Sequence, residues 1–288
     1  MNDNGEISIY RHESALGRWS VAMCPVHPAL RGCVAQIWLG EGQVAYQRDR
    51  ILPRAQSYLL INLGPPQYRI LTGDPETREV FDDVWFSGLS ESPIDTEAPH
   101  GSVLLGVAFH ASGAGHWLSI PQVDLANRTG PLVDVIGTLA SELRQRLLQT
   151  PGTHARLRLV EAWLLKTCTS GRSIHPLVHW ATRRLADSGG QLRTAALARE
   201  AGVSRKHLSG LFSAQVGLAP KALARVHRFH HLLDRLSPGS APDWSHLALD
   251  CGYYDQSHLI HDFRQYSGMS PAEFARHSMP DARSVVLR

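Results

Sequence analysis

The chain has no apolar run of eighteen or more residues, so no membrane-spanning helix is expected. Its first residues, MNDNGEISIYRHE, lack the basic-then-apolar order of a signal peptide. Cysteine is scarce: Cys24, Cys33, Cys168 and Cys251 are widely separated, with no CxxC. That usage predicts a reduced, cytoplasmic protein without a cysteine-based zinc site. Neither G-x-x-x-x-G-K-[ST] nor G-x-G-x-x-G occurs, so no nucleotide cofactor is implied. The segment HASGAGHW (110–117) is glycine-rich but lacks a phosphate-loop lysine, and reads as a turn. His100, His110 and His116 are scattered without an HxH or HExxH pattern, which is poor support for a metal site. No catalytic residue, metal or cofactor is expected, and the chain is not read as an enzyme.

What is present is a globular composition, 43% hydrophobic and 19% charged, over 288 residues, enough for two domains. The net charge of +3 conceals an asymmetry. From Arg172 onward there are 15 Lys+Arg against 9 Asp+Glu, with 10 of the 16 histidines; residues 1–171 carry a net −3. A basic half beside a mildly acidic one points to an anionic partner for the basic half, or to ordinary surface variation.

The two halves also differ in period. CVAQIWL, SYLLINL, QYRIL, DVWFSGL and SVLLGVAF, within residues 30–110, are strand-length runs separated by GEG, GPP, TGDPE and SESP turns. They predict a β-rich domain over 1–130, a cupin-like barrel or sandwich. After Pro131 apolar residues recur three and four apart, predicting helices over 132–148, 153–168 and from Pro176 to a stop at Gly189-Gly190. The first two form a helical connector over 131–171, a dimer surface, or simply packing within the chain. The boundary is expected in TSGRSI (169–174), with an all-α domain over 172–288, and the whole is of the α+β class.

That last domain contains a repeat. HLSGLFSAQVGLAPKALAR (207–225) is echoed by HLIHDFRQYSGMSPAEFAR (258–276). His207, Leu208, Phe212, Gly217 and Pro220 align with His258, Leu259, Phe263, Gly268 and Pro271. Upstream, LAREAGVSRKHL (197–208) parallels LALDCGYYDQSHL (247–259), with one extra residue in the second copy. Each copy reads as a helix, a glycine turn (Gly202, Gly252) and a second helix, which is a helix-turn-helix. Cys251 takes the place of Ala201 and is expected in the core. Ser204 is a good N-cap, and Ser270-Pro271-Ala272-Glu273 reads as a capping box that Ala219 weakens in the first copy. Leu223, Val226, Phe229, Leu233 and Leu236 share one face of a connecting helix, broken by SPGSAPD (237–243).

Residues 175–277, and above all GYYDQSHLIHDFRQYSGMSPAEF, resemble the DNA-binding domain of the AraC/XylS family of bacterial transcription regulators. FHASGAGHWLSIPQVDLANRTGPLVDVIG resembles the sensor region of an AraC-like subgroup. The resemblance implies double-stranded promoter DNA as partner and RNA polymerase as a further one for an activator. It also implies a small-molecule effector in a cupin-like N-terminal domain. A homodimer is a further candidate assembly.

The N-terminal part of the second helix of each unit is expected to meet DNA. In the first unit this selects Ser204, Arg205, Lys206, His207 and Ser209, with Arg205 the leading base reader and Lys206 a phosphate contact. Gly210 stands where family members often carry Arg, which removes one contact. In the second unit it selects Asp255, Gln256, Ser257, His258 and His261, with Arg264 on phosphate. For an effector pocket the candidates are Trp38, Tyr58, Trp85 and Phe109, with Arg54 as anchor; each aromatic equally suits the β-domain core. The rival readings are an effector-independent DNA-binding regulator whose N-terminal domain only dimerises or binds a protein, and a metal-dependent cupin-like enzyme.

Overall fold

A computed structural model describes residues 6–97, 101–118, 120–168, 173–236, 243–277 and 284–287. Residues 169–172 of the expected boundary, residues 237–242 of the SPGSAPD break and His100 lie outside them.

The β domain is built from β1 (Ser8–Ser14), β2 (Gly17–Cys24), β3 (Val34–Val44), β4 (Arg48–Ile51), β5 (Ser57–Asn62) and β6 (Gln67–Leu71). It continues with β7 (Thr77–Phe81), β8 (Val84–Ser87), β9 (Ile94–Glu97), β10 (Ser102–Phe109) and β11 (Thr129–Pro131), and a last strand, β12 (Ser284–Leu287), joins it from the far end of the chain. They form two antiparallel sheets, a seven-stranded one in the order β1-β2-β3-β10-β5-β8-β11 and a five-stranded one in the order β12-β4-β9-β6-β7. Of the expected barrel or sandwich, the chain makes the two-sheet sandwich within an α+β fold.

Period-2 alternation gives the large sheet two apolar faces. One face carries Ile37, Leu39, Leu59, Ile61, Val84, Phe86, Leu105, Val107 and Phe109, all buried. Against it pack α1 (Gly113–Trp117), α3 (Leu139–Gln149) and α4 (Thr153–Cys168). HASGAGHW is therefore a short helix rather than a turn, because Ala114 and Trp117 are drawn into this core. The helix expected over 132–148 is two pieces, α2 (Val133–Ile136) and α3, separated at Gly137. Leu143, Leu147, Leu157, Val160, Trp163 and Leu164 share the sheet's core. These helices are thus the outer layer of the β domain.

The helical domain comprises α5 (Pro176–Asp187), α6 (Thr194–Glu200), α7 (Arg205–Gln215), α8 (Pro220–Leu233), α9 (Trp244–Asp250), α10 (Gln256–Ser267) and α11 (Pro271–His277). It holds two cores, one under α5–α7 and one under α9–α11. Helix α8 belongs to both: Leu223 and Ala224 enter the first, Val226, Phe229, Leu232 and Leu233 the second. The β domain closes both, with Leu89 in the first and Leu52 and Val285 in the second. All four cysteines are buried thiols. Among the described residues no helix is long and apolar enough to cross a membrane.

Candidate nucleic-acid interface

In the first unit α6 turns through Gly202, at φ 65°, into α7. The Ser204 hydroxyl accepts from the His207 backbone N–H at 3.1 Å and sets the start of α7. Leu208 and Phe212 fix the inner face. Arg205, Lys206 and His207 are left exposed on the first turn, with Ser209 half-buried beside them. In the second unit α9 is capped by Asp243, whose carboxylate accepts from the Ser245 and His246 N–H groups at 3.0 and 3.2 Å. The turn passes through Gly252, and Asp255 Oδ1 accepts from the His258 N–H at 2.7 Å, opening α10. Leu259, Phe263 and Tyr266 face inward, whereas Gln256, Ser257, His261 and Arg264 are exposed and His258 is half-buried.

The residues proposed from sequence therefore fall into two equivalent clusters. Ser204 and Asp255 act locally as N-caps, and each aims the side chains that follow. Gln256 Oε1 accepts from Ser245 Oγ at 3.2 Å, so that amide is oriented by α9. The capping box at α11 is formed: the Ser270 N–H donates to Glu273 Oε2 at 2.7 Å and the Glu273 N–H to Ser270 Oγ at 3.3 Å. Ala219 gives α8 no side-chain cap.

The relation between the units is set by α8 and α10. Arg225 Nη2 donates to Asp262 Oδ1 at 2.7 Å and to Gln265 Oε1 at 2.6 Å. Asp262 is only 1% exposed, and the guanidinium also lies over the Tyr266 ring. Its bond to Asp262 raises the Arg225 pKa above the usual value, keeping the charge fixed. Phe229 packs edge-on to Phe263.

Two candidates were missed in the sequence. Tyr254, 86% exposed, stands in the second turn, and its signal was the extra residue of that copy. Lys221, in the first turn of α8, shares a groove of about 600 Å³ with Arg205, Lys206 and Ser209, and no acidic side chain lines it. Gly210 is exposed, and a Cβ there would meet nothing within 4 Å.

The effector candidates do not converge. Cross-strand pairing puts Met23, Trp38, Gly106, Leu60 and Trp85 in one row on the inter-sheet face. Tyr58 lies one pair along, opposite Ala108. Trp85 meets Phe81 of the smaller sheet, with ring centroids 5.2 Å apart. Trp38 lies across Gly106, where a Cβ would strike the indole. Phe109 faces the other way, stacked on Trp117 in the helix-covered core. Arg54 lines a cleft between the domains instead. Among the described residues no group of three His, Cys, Asp or Glu is placed to hold a metal.

Residues 197–277 match the family described as "Helix-turn-helix domain", and residues 23–131 match a domain of unknown function, DUF6597. A protein of Streptomyces antibioticus described as an AraC-like transcription regulator is 36% identical over 86 residues, 30% of this chain and 28% of that protein. The chain thus spans under a third of that relative's length. Among solved structures, ToxT from Vibrio cholerae O395 aligns over 80% of this chain and 95% of its own at 11% identity, TM-score 0.44. A ToxT structure bound to an unsaturated fatty acid aligns over 84% and 95% at 10% identity, TM-score 0.45. At these scores the likeness is loose.

The double unit and the match over it make residues 197–277 a helix-turn-helix domain similar to that of an AraC-like regulator. Residues 23–131 are similar to DUF6597.

Proposed function

We propose that this chain is a cytoplasmic, sequence-specific regulator of transcription that reads double-stranded DNA with α7 and α10. The observation that carries the reading is the pair of N-capped helices joined through one connector, α8. Among the described residues both leave polar side chains of the first turn exposed, Arg205 and Lys206 in α7 and Gln256 and Ser257 in α10. Helix N-termini of this kind reach base edges, while surrounding cations hold phosphates. Arg205 takes the guanine-reading role in α7 and Gln256 the adenine-reading role in α10. Lys206, Lys221 and Arg264 hold backbone phosphates, and His207, Ser209, Ser257, His258, His261 and Tyr254 complete the two surfaces. RNA polymerase, a second copy of the chain and an effector are the further partners of this reading.

The effector would bind between the sheets, against Trp38, Tyr58, Leu60 and Trp85, by displacing the Trp38 indole that covers Gly106. It would shift the domain arrangement only through different affinity for the two states.

The test is selection from a random duplex pool with the full chain at fixed salt, because non-specific binding is salt-driven. Enrichment of two boxes about one helical turn apart supports the double reader. No enriched sequence at any salt overturns it.

A further inference from the structure

A cleft of about 520 Å³ opens between the β domain and the helical domain. Its lining is cationic on both sides. The β domain contributes Arg31, Arg54 and His110, and the helical domain His179, Arg183, His227 and His230; Asp234 is the one acid in the lining. Among the described residues no carboxylate lies within ion-pair distance of Arg31, Arg54 or Arg183. Among the described residues, Arg54 Nε and His227 Nε2 are both buried without a hydrogen-bond partner.

Such an arrangement is costly without a ligand. A buried donor that gives up water without gaining an acceptor costs about 1–3 kcal/mol. Like charges facing one another across a domain boundary repel, and a half-enclosed cleft screens them less than bulk water does. The His110 pKa is lowered chiefly by burial, against a backbone hydrogen bond at Arg31 that raises it, with smaller lowering from His179 and Arg183 across the cleft. Pockets of about 300–1,000 Å³ are the usual size for small-molecule sites.

We propose that this cleft binds a small phosphorylated ligand whose phosphoryl group bridges Arg54 of the β domain and Arg183 of the helical domain. A phosphoryl dianion brings three acceptor oxygens and close to two charges. It can accept forked hydrogen bonds from more than one guanidinium, bring Arg54 Nε the acceptor it lacks, and accept from His227 Nε2 in the tautomer that carries its proton there. A monocarboxylate supplies half the charge and fewer acceptors. The ligand joins the domains, because each supplies part of its site. The site is separate from the inter-sheet face and from the DNA surface, and it does not depend on what the helices read.

The test is calorimetric titration of the full chain with inorganic phosphate, glycerol 3-phosphate and acetate at constant ionic strength. Thermal melts in each ligand accompany it, on wild type and on Arg54→Gln, Arg183→Gln and Arg205→Ala. The expected result is saturable binding of a phosphoryl probe and a raised Tm. Arg54→Gln and Arg183→Gln should each weaken binding roughly tenfold, the loss of one charge-assisted contact, while Arg205→Ala leaves it unchanged. Tighter binding of glycerol 3-phosphate than of phosphate identifies an esterified ligand; the reverse order identifies free phosphate. Three results overturn the proposal: no saturable binding by either phosphoryl probe, acetate binding as tightly as they do, or loss of binding in Arg205→Ala with retention in the two cleft variants. Circular dichroism of each variant separates lost binding from lost folding, and Arg54→Lys and Arg183→Lys, which keep the charge, should recover part of the affinity.

Discussion

Arg50 of β4 donates from Nη1 to the backbone carbonyl of Ser267, the last residue of α10, at 3.1 Å. The same guanidinium forks onto Asp95 of β9 through Nε and Nη2 at 2.6 and 2.8 Å. One arginine thus ties the end of α10 to the smaller sheet. The next residue, Gly268, closes the helix at φ 75°, and a Cβ there would collide with Arg50 Nη1.

Gly268→Ala therefore meets two obstacles, an unfavourable left-handed backbone and the arginine above it. The backbone term alone is about 1 kcal/mol. Displacing Arg50 from the Ser267 carbonyl adds roughly 1.5–3 kcal/mol, the worth of a hydrogen bond to a charged donor. Urea denaturation should show the sum, and Arg50→Ala should recover part of it by removing the collision. A Gly268→Ala variant as stable as wild type would mean that this contact is not made in solution.

The Arg225–Asp262 pair predicts a graded response. Asp262→Ala leaves a partly buried guanidinium with Gln265 alone and should cost about 2–3 kcal/mol, below the range for fully buried pairs because Arg225 keeps some solvent contact. Asp262→Asn retains an acceptor and should cost about 1 kcal/mol. If α8 fixes the spacing of the two readers, Asp262→Ala should also lower affinity for a two-box site more than for a single box. Equal losses on both would remove the pair from spacing control.

Much of the helical domain was legible beforehand because its pattern is local. Ser204, the Ser270–Glu273 box and the Leu223-Val226-Phe229-Leu233 stripe each declare their role within a few residues, and the structure uses them so. The β domain was half legible. β5 and β10 are apolar runs, whereas β4 (RDRI), β7 (TREVF) and β9 (IDTE) carry charge and become strands through their partners. β12 was hidden for the same reason: SVVL pairs only with β4, from the opposite end of the chain. The face a strand residue takes could not be fixed from composition, so Phe109 and Trp38 were grouped although they lie on opposite sides of one sheet. The cleft arginines and histidines come from five separate stretches of sequence, and only folding brings them together.

His227 gives a pH prediction. Burial alone holds its pKa down at about 4, against about 6.5 in an unfolded chain. Between those values the unfolded state binds the proton and the folded state does not, so stability falls as pH drops through this window. From pH 6.5 to 5 the loss should be on the order of 2 kcal/mol from this group. His110, also depressed, adds in the same direction, while Arg54, Arg183 and the other cleft histidines oppose protonation and Asp234 favours it. His227→Gln should flatten the dependence measured by urea denaturation at pH 7 and pH 5. An unchanged slope would assign the acid sensitivity elsewhere.

Gly210 offers the cleanest test of the first reader, because the position is exposed and a side chain there meets nothing. Gly210→Arg should stabilise the chain by about 0.5–1 kcal/mol, since glycine is a poor residue in a helix interior. If α7 lies in a major groove, the added guanidinium should also increase DNA affinity. A phosphate contact would steepen the salt dependence by about one unit for every sequence alike, while a base contact would sharpen one position by about 1–3 kcal/mol. Arg205→Ala should do the opposite of the second case, relaxing one base position by about the same amount. A Gly210→Arg protein that is more stable yet binds every duplex as wild type does, at every salt concentration, would place α7 away from the DNA and leave reading to α10.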